Sequence, residues 1–146
     1  MIQLDGMQDD VIKLTLSRML AKGHPDMGEM PILFFNIRLL DGTRIGQCDL
    51  RVGDSVQTEV LGHIGYGIDA PYRGHHYAVR ACRLLMGYAK RAHMEHVDIT
   101  CDIDNYASIR TCELLDGQWM GVIPVPPDNI EYANGSRKKH RYRIML

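Results

Sequence analysis

The sequence predicts a mixed α/β fold: an antiparallel meander, a central strand–helix–strand crossover and two closing strands. Three observations carry that reading. "ILFFNIRLL" at 32–40 is rich in β-branched and aromatic residues and runs into the turn "DGT" at 41–43. A strand near 59–69, a helix opening after residue 76 and the alternating "VDITCDI" at 97–103 follow one another, the order of a βαβ unit whose strands run parallel. Two last strands, 119–125 and 138–146, flank the turn-rich "PVPPDNIEYANGS".

Taken in order, residues 8–21, "QDDVIKLTLSRMLA", place Val11, Leu14, Leu16, Met19 and Leu20 at roughly helical spacing, and Asp9 and Asp10 suit a helix N-terminus. A first helix is expected there. "KGHPDMGEMP" breaks it and forms either a wall beside a pocket or a plain connector. Strands at 32–40, 44–53 and about 59–69 make the meander. The third puts Val60, Ile64, Tyr66 and Ile68 on one face, with Tyr66 in the core. In the long helix, Tyr77, Ala81, Leu84, Leu85, Tyr88, Ala89 and Ala92 share a stripe, while Arg80, Arg83, Lys90 and Arg91 face water. Val97, Ile99, Cys101 and Ile103 then alternate with Asp98, Thr100 and Asp102, a half-buried strand. A shorter helix near 106–115 turns Ile109, Cys112 and Leu115 inward and ends at Gly117.

The 146 residues suit one domain spanning 1–146. Hydrophobic residues make up 45% and charged residues 24%, so the chain needs no metal or disulfide staple. With 17 basic and 18 acidic side chains the net charge is −1, which gives no global attraction to nucleic acid or membrane. The basic run "RKKHRYR" at 137–143 reads as a solvated strand face, or else as a patch for acidic partners. Cys48, Cys82, Cys101 and Cys112 form no C-x-x-C pair and each sits in an expected strand or helix, as reduced core cysteines do. No signal pattern and no long apolar run is present, so a cytoplasmic protein is expected.

The chemistry concentrates in "APYRGHHYAVRACRLL", residues 70–85. Pro71 keeps Ala70 extended, Gly74 permits a tight turn, and a helix begins at once. The first N–H groups of that helix lack intrahelical partners and point into the turn, and Arg73 adds a full charge. The result is an anion cradle suited to phosphate. A metal site fits less well. His75 and His76 are adjacent and diverge by about 100° on a helix, while His93 and His96 lie about 25 Å away at its far end. "GHIGYG" at 62–67 lies within a strand, so it does not make a nicotinamide fingerprint.

These residues resemble a known family. Arg73-Gly74-His75-His76-Tyr77-Ala78 is similar to the pyrophosphate loop Q/R-x-x-G-x-G/A of the GNAT superfamily of N-acetyltransferases, with His76 where the family keeps glycine. "DNYASIRTCELLDG" at 104–117 resembles the N-x-A-S-x-R-x-x-E-x-x-G segment of the branch containing ribosomal-protein N-terminal acetyltransferases, with Asn105, Ala107, Ser108, Arg110 and Glu113 in place. "HIGYGID" at 63–69 resembles that branch's strand before the loop. The resemblance spans about residues 31–125.

The resemblance implies a GNAT-like fold whose strands before and after the loop splay to admit acetyl-CoA, with no metal. It implies backbone contacts from Ile68, Asp69 and Ala70 to the pantetheine arm, and from Arg73, Gly74, His75, His76, Tyr77 and Ala78 to the pyrophosphate. Asn105 would contact the cofactor as well as cap its helix. Ser108 would protonate the departing thiolate, or simply cap the first turn. The family's usual tyrosine acid is absent, with Thr111 near its place. His63 is the candidate general base, with a satisfied or surface histidine as the plain alternative. The implied activity is acetyl transfer to a primary amine, a peptide N-terminus or a small molecule, by direct attack. The alternatives are a weak or inactive GNAT-fold protein that binds CoA as a ligand or regulator, and an interaction module without CoA. A homodimer through the final strands is compatible with the pattern.

Overall fold

The computed structural model describes residues 7–21 and 30–146, which form two antiparallel sheets meeting at one seam. The first runs in the order β1 (Ile12–Leu20), β2 (Ile32–Leu39), β3 (Arg44–Arg51) and β4 (Ile64–Ile68), with the short α1 (Val56–Leu61) between β3 and β4. After β4 come α2 (Tyr77–Arg91), β5 (His96–Asp102), α3 (Tyr106–Leu114), β6 (Gln118–Pro124), α4 (Ile130–Ala133) and β7 (Lys138–Met145). The second sheet has the order β5-β7-β6. Phe35, Ile37, Leu50 and Ile64 from the first sheet share one core with Val97, Ile99 and Ile144 from the second and with Ala81, Cys82 and Leu85 of α2. The four cysteines are buried and unpaired.

The meander, the two long helices and the closing strands stand where the pattern puts them. Residues 8–21 do not form a helix. Ile12 and Leu14 are buried on one face of β1, which pairs with β2 from Ile12↔Leu39 to Leu20↔Ile32. A register shift between Leu16 and Arg18 breaks the two-residue period, so the later apolar positions imitate helical spacing. Asp9 Oδ1 accepts from the N–H groups of Val11 and Ile12 at 2.7 Å each, and Asp9 and Asp10 both hold Arg80 of α2. The acids thus start a strand and tie it to a helix. The expected strand at 59–69 is shorter, because its first residues belong to α1. Asp116, at φ 57°, makes the left-handed turn after α3, one residue before Gly117. Most of "KGHPDMGEMP" lies outside the described residues.

The strands flanking α2 form no parallel ladder. β4 is the last strand of its sheet, β5 begins the other, and they touch through the bridge Gly62↔Ile99 just before β4 starts. Gly62 sits at φ +70°, and a Cβ there would lie 2.6 Å from the Asp98 carbonyl oxygen, so the approach requires glycine. His63 N–H donates to that carbonyl at 2.7 Å, and the Asp98 N–H returns a bond to His63 Nδ1 at 2.9 Å. Nδ1 is therefore the unprotonated nitrogen, and Nε2–H donates to Asp54 Oδ1 at 2.7 Å.

Asp98, whose side chain is 0% exposed, accepts from Arg143 Nε at 2.9 Å and from Arg141 Nε at 3.0 Å and is also bonded by Arg141 Nη2. Burial pushes its carboxyl up, but the two guanidinium groups outweigh that and hold it below the usual range. The basic run 137–143 is accordingly only in part a solvated face: Arg137 and Lys138 are exposed. β7 is the central strand of its sheet, Lys139 is buried, and Arg141 and Arg143 neutralise Asp98.

Removing the Asp98 carboxylate strands two arginines, so Asp98→Ala should cost about 3–5 kcal/mol in urea unfolding. Burial keeps the His63 imidazole below its ordinary 6.5, against the opposing pull of Asp54 and Asp98. The unfolded chain therefore binds that proton more readily, and stability falls as pH drops below about 6.5. His63→Asn, whose amide oxygen still accepts from the Asp98 N–H, should lower Tm at neutral pH and flatten the acid-side fall in thermal melts.

Candidate functional site

Beyond the seam the two sheets part, and the chain leaving β4 lines the gap. Asp69 N–H is taken by the Ile45 carbonyl at 2.9 Å and its carboxylate pairs with Arg44 at 3.1 Å. Residues 70–72 form one tight turn around Pro71. Arg73 folds back so that its Nε donates to the Ile68 carbonyl at 2.8 Å. Gly74, at φ +92°, faces open space. His76 then adopts φ 58°, ψ 30° and caps α2 without a side-chain hydrogen bond. This left-handed geometry is the one glycine takes without penalty, and a non-glycine residue there costs roughly 1–2 kcal/mol.

A cleft of about 510 Å³ opens here. Tyr66, Gly67 and Ile68 of β4 form one wall, residues 73–78 form the base, and Asn105, Ala107, Ser108, Arg110 and Thr111 form the other wall. Its lining carries Arg73, Arg110, His75 and His76 and, among the described residues, no carboxylate. The N-terminus of the 15-residue α2 adds partial positive charge. β4 ends its sheet, so its outer edge has no strand partner.

A second, polar cavity of about 300 Å³ lies between the sheets, lined by Arg51, Gly65, Thr100, Cys101, Asp102, Glu131 and Lys139 among others. Lys139 pairs with Asp102 at 3.4 Å and Glu131 at 3.5 Å, and Ser136 Oγ donates to Asp102 Oδ1 at 2.5 Å. Tyr66, Asn105 and Ser108 border both cavities. Asn105 caps α3 by accepting from the Ser108 N–H at 3.2 Å. The Tyr66 hydroxyl and Ser108 Oγ are hydrogen-bonded at 2.5 Å. Burial raises the Tyr66 phenol well above its ordinary 10.0, with the Ser108 and Thr111 hydroxyls opposing, so it stays protonated at neutral pH. The Cys101 thiol beside them is held below its ordinary value by Cys112, by Ser108 and by the nearby Lys139 charge, despite its burial.

The structure thus gathers Ile68, Arg73, Gly74, His75, His76, Tyr77, Ala78, Asn105 and Ser108 around one cleft. Asp69 and Ala70 are not in its lining. His63, 1% exposed with both ring nitrogens engaged, stands at the seam, in the lining of neither cavity. It has no free nitrogen to take an amine proton. Tyr66 packs against the core, as its alternation predicts, but its hydroxyl also meets Ser108, which the local pattern does not show. Alternation does put it on the face with Ile64 and Ile68, but only the docking of α3 brings the serine to it. No group of three or more His, Cys, Asp and Glu side chains placed to hold a metal ion occurs among the described residues. No helix among them is long and apolar enough to cross a membrane.

Comparison with known proteins agrees with this architecture. Similar solved structures include an acetyltransferase of the GNAT family from Bacillus anthracis (19% identity, 77% of this chain, 65% of that one, TM-score 0.60). The microcin C7 self-immunity acetyltransferase MccE, solved with acetyl-CoA and AMP, is 20% identical (79% and 61% covered, TM-score 0.61). The ribosomal L7/L12 alpha-N-protein acetyltransferase RimL, solved with coenzyme A, is also 20% identical (79% and 62% covered, TM-score 0.62). This chain spans less than two thirds of the length of each. No curated protein matches. Residues 8–118 match the model of the acetyltransferase (GNAT) domain, which covers most of the chain. This protein therefore belongs to the GNAT acetyltransferase family.

Proposed function

We propose that this chain, acting as a single catalytic unit over residues 1–146, transfers the acetyl group of acetyl-CoA to a primary amine by direct attack. The acceptor is a peptide N-terminus or a small-molecule amine. One observation carries the reading: a cationic cleft with no lining carboxylate among the described residues leads from the α2 N-terminus to a hydroxyl pair shared with a second cavity. The pyrophosphate rests on the backbone of residues 73–78 beside Arg73 and Arg110, as anions rest on helix N-termini. The pantetheine arm lies along the unpaired edge of β4, with Asn105 opposite. The arm delivers the thioester to Ser108, and the amine arrives from the second cavity. A β4 backbone N–H meets the oxyanion. As the C–S bond breaks, Ser108 gives its proton to the CoA thiolate and Tyr66 donates to Ser108. Tyr66 thus supplies from β4 the phenol that α3 lacks at Thr111.

Two further features support finer points. Trp119, Met120 and Val122 on the edge strand β6 are 56%, 45% and 47% exposed, which supports a homodimer through that edge. Four reduced, buried cysteines suit a reducing compartment such as the cytoplasm.

Calorimetry with acetyl-CoA, paired with thiol release over a panel of amines, tests the activity. Binding without release on any amine would favour a CoA-binding regulator, and no binding at millimolar ligand would remove both readings. Ser108→Ala should keep acetyl-CoA affinity within a few-fold and lower kcat by about 100-fold, and Tyr66→Phe should lower it by a smaller factor. His76→Gly should relieve the left-handed strain and raise Tm by about 2–4 °C, the shift that about 1 kcal/mol gives a chain of this size. A Trp119→Lys chain should sediment as a monomer where the wild type sediments as a dimer.

A further inference from the structure

The transferase reading leaves the amine's proton without an acceptor. The carboxylates bordering the second cavity are both committed, Asp102 to Ser136 and Lys139, and Glu131 to Lys139. One further carboxylate, itself in the lining of neither cavity, stands beside a residue that is, Gly65. Asp49 on β3 pairs in register with Gly65 of β4 on one side and with Phe34 of β2 on the other. Directly opposed residues project from the same sheet face, so Arg18, Phe34, Asp49 and Gly65 form one cross-strand row. It lies on the face opposite the buried Cys48, Leu50 and Ile64. Gly65 borders the second cavity, and its missing side chain leaves room that the carboxylate fills: a Cβ there would stand 2.6 Å from Asp49 Oδ1.

Asp49 itself is under-partnered. Oδ2 is buried and has no hydrogen bond, with Arg51 Nη1 as an ion partner at 3.3 Å. Arg51 Nε is also buried without a hydrogen-bond partner, and its Nη1 also donates to the Gly62 carbonyl at 3.3 Å. The Asp49 side chain is still 20% exposed, and Oδ2 does not contribute to that exposure. Of the neighbours in the row, Phe34 and Gly65 are uncharged, and Arg18 lies over the far Phe34 ring at 4.6 Å. Arg51 is the charge that faces the group directly. Burial raises the carboxyl above its ordinary 3.8, and Arg51 only partly opposes this, which makes it a better proton acceptor than a solvated aspartate.

Resting on the transferase reading, we propose that Asp49 is the general base of the reaction, taking the amine proton at Gly65 directly or through one water. The amine nitrogen bonds the acetyl carbon and its proton passes to Asp49. The C–S bond then breaks with its electron pair on sulfur, which takes the Ser108 proton. The products are the amide and free CoA; Asp49 then returns its proton to solvent and the Ser108–Tyr66 pair takes one back, which restores the resting site. The glycine at position 65 is part of the device, since a side chain there would displace the carboxylate.

The test measures acetyl-CoA binding and amine-dependent CoA release from about pH 5 to about pH 9 for the wild type, Asp49→Asn and Asp49→Ala. Asp49→Asn should bind acetyl-CoA as the wild type does and lose about 100-fold in kcat/KM, and the acid-side bend of its pH–rate profile should vanish. Asp49→Ala should regain part of its rate on addition of formate, which a merely structural role would not produce. If the alanine chain fails to fold, the isosteric asparagine variant carries the test through its pH profile. An asparagine variant with the wild-type rate and the wild-type bend would overturn the assignment and leave the transferase reading standing. A wild-type chain that binds no acetyl-CoA would overturn that reading, and this proposal with it, before any variant is compared.

Discussion

Everything functional in this chain depends on the place where two sheets touch and then part. Gly62 allows the Asp98 carbonyl to approach, and His63 and Asp98 exchange backbone and ring hydrogen bonds there. Past that contact β4 has no hydrogen-bonded strand on its outer side among the described residues. An unpaired strand edge inside a protein is normally a liability, because its N–H and C=O groups need partners. Here it forms the wall of a cleft, and an extended thioester-bearing arm is a natural partner for it. The histidine whose sequence position suggested catalysis serves the joint that makes the cleft.

The joint needs its own charge balance. Burying Asp98 beside the seam would be costly if the carboxylate were alone. Arg141 and Arg143 converge on it from β7, and the pair to Asp98 is also the register pair Asp98↔Arg143. Two arginines of the most basic stretch of the sequence are thereby committed to this joint, while Arg137 and Lys138 stay exposed. The cleft itself is lined by a smaller set, Arg73 and Arg110 with the α2 N-terminus, and Arg110 also pairs with Glu113 at 3.2 Å. A chain with a net charge of −1 can thus present a local cationic pocket.

The hydroxyl pair at the centre of the site shows the same division of labour. Ser108 is set by α3, whose cap is Asn105, while Tyr66 is set by β4; the two lie 42 positions apart in sequence. The strand supplies a protonated phenol and the helix supplies the hydroxyl that it meets. On the opposite face of β4, Gly65 and Gly67 carry no side chains, and Asp49 and Gln47 of β3 lean into the space. One strand therefore brings different chemistry to its two faces, as two-residue alternation requires.

Local pattern by itself determined the meander from Ile32 to Arg51, the amphipathic α2, the alternating β5, the capped α3 and the cradle of residues 73–78. Each of these rests on interactions within a few residues, where spacing and turn chemistry are legible. Even locally, one bulge near Ser17 was enough to make β1 read as a helix, because it shifts the period. Tertiary structure alone decided the role of His63, the meeting of Tyr66 and Ser108, the convergence of Arg141 and Arg143 on Asp98 and the half-buried row ending at Asp49 and Gly65. The ring bond from Asp98 to His63 spans 35 positions, and the arginine bonds to Asp98 span 43 and 45. Contacts of that range depend on how two sheets dock, and docking follows from the whole buried surface rather than from any stretch of sequence.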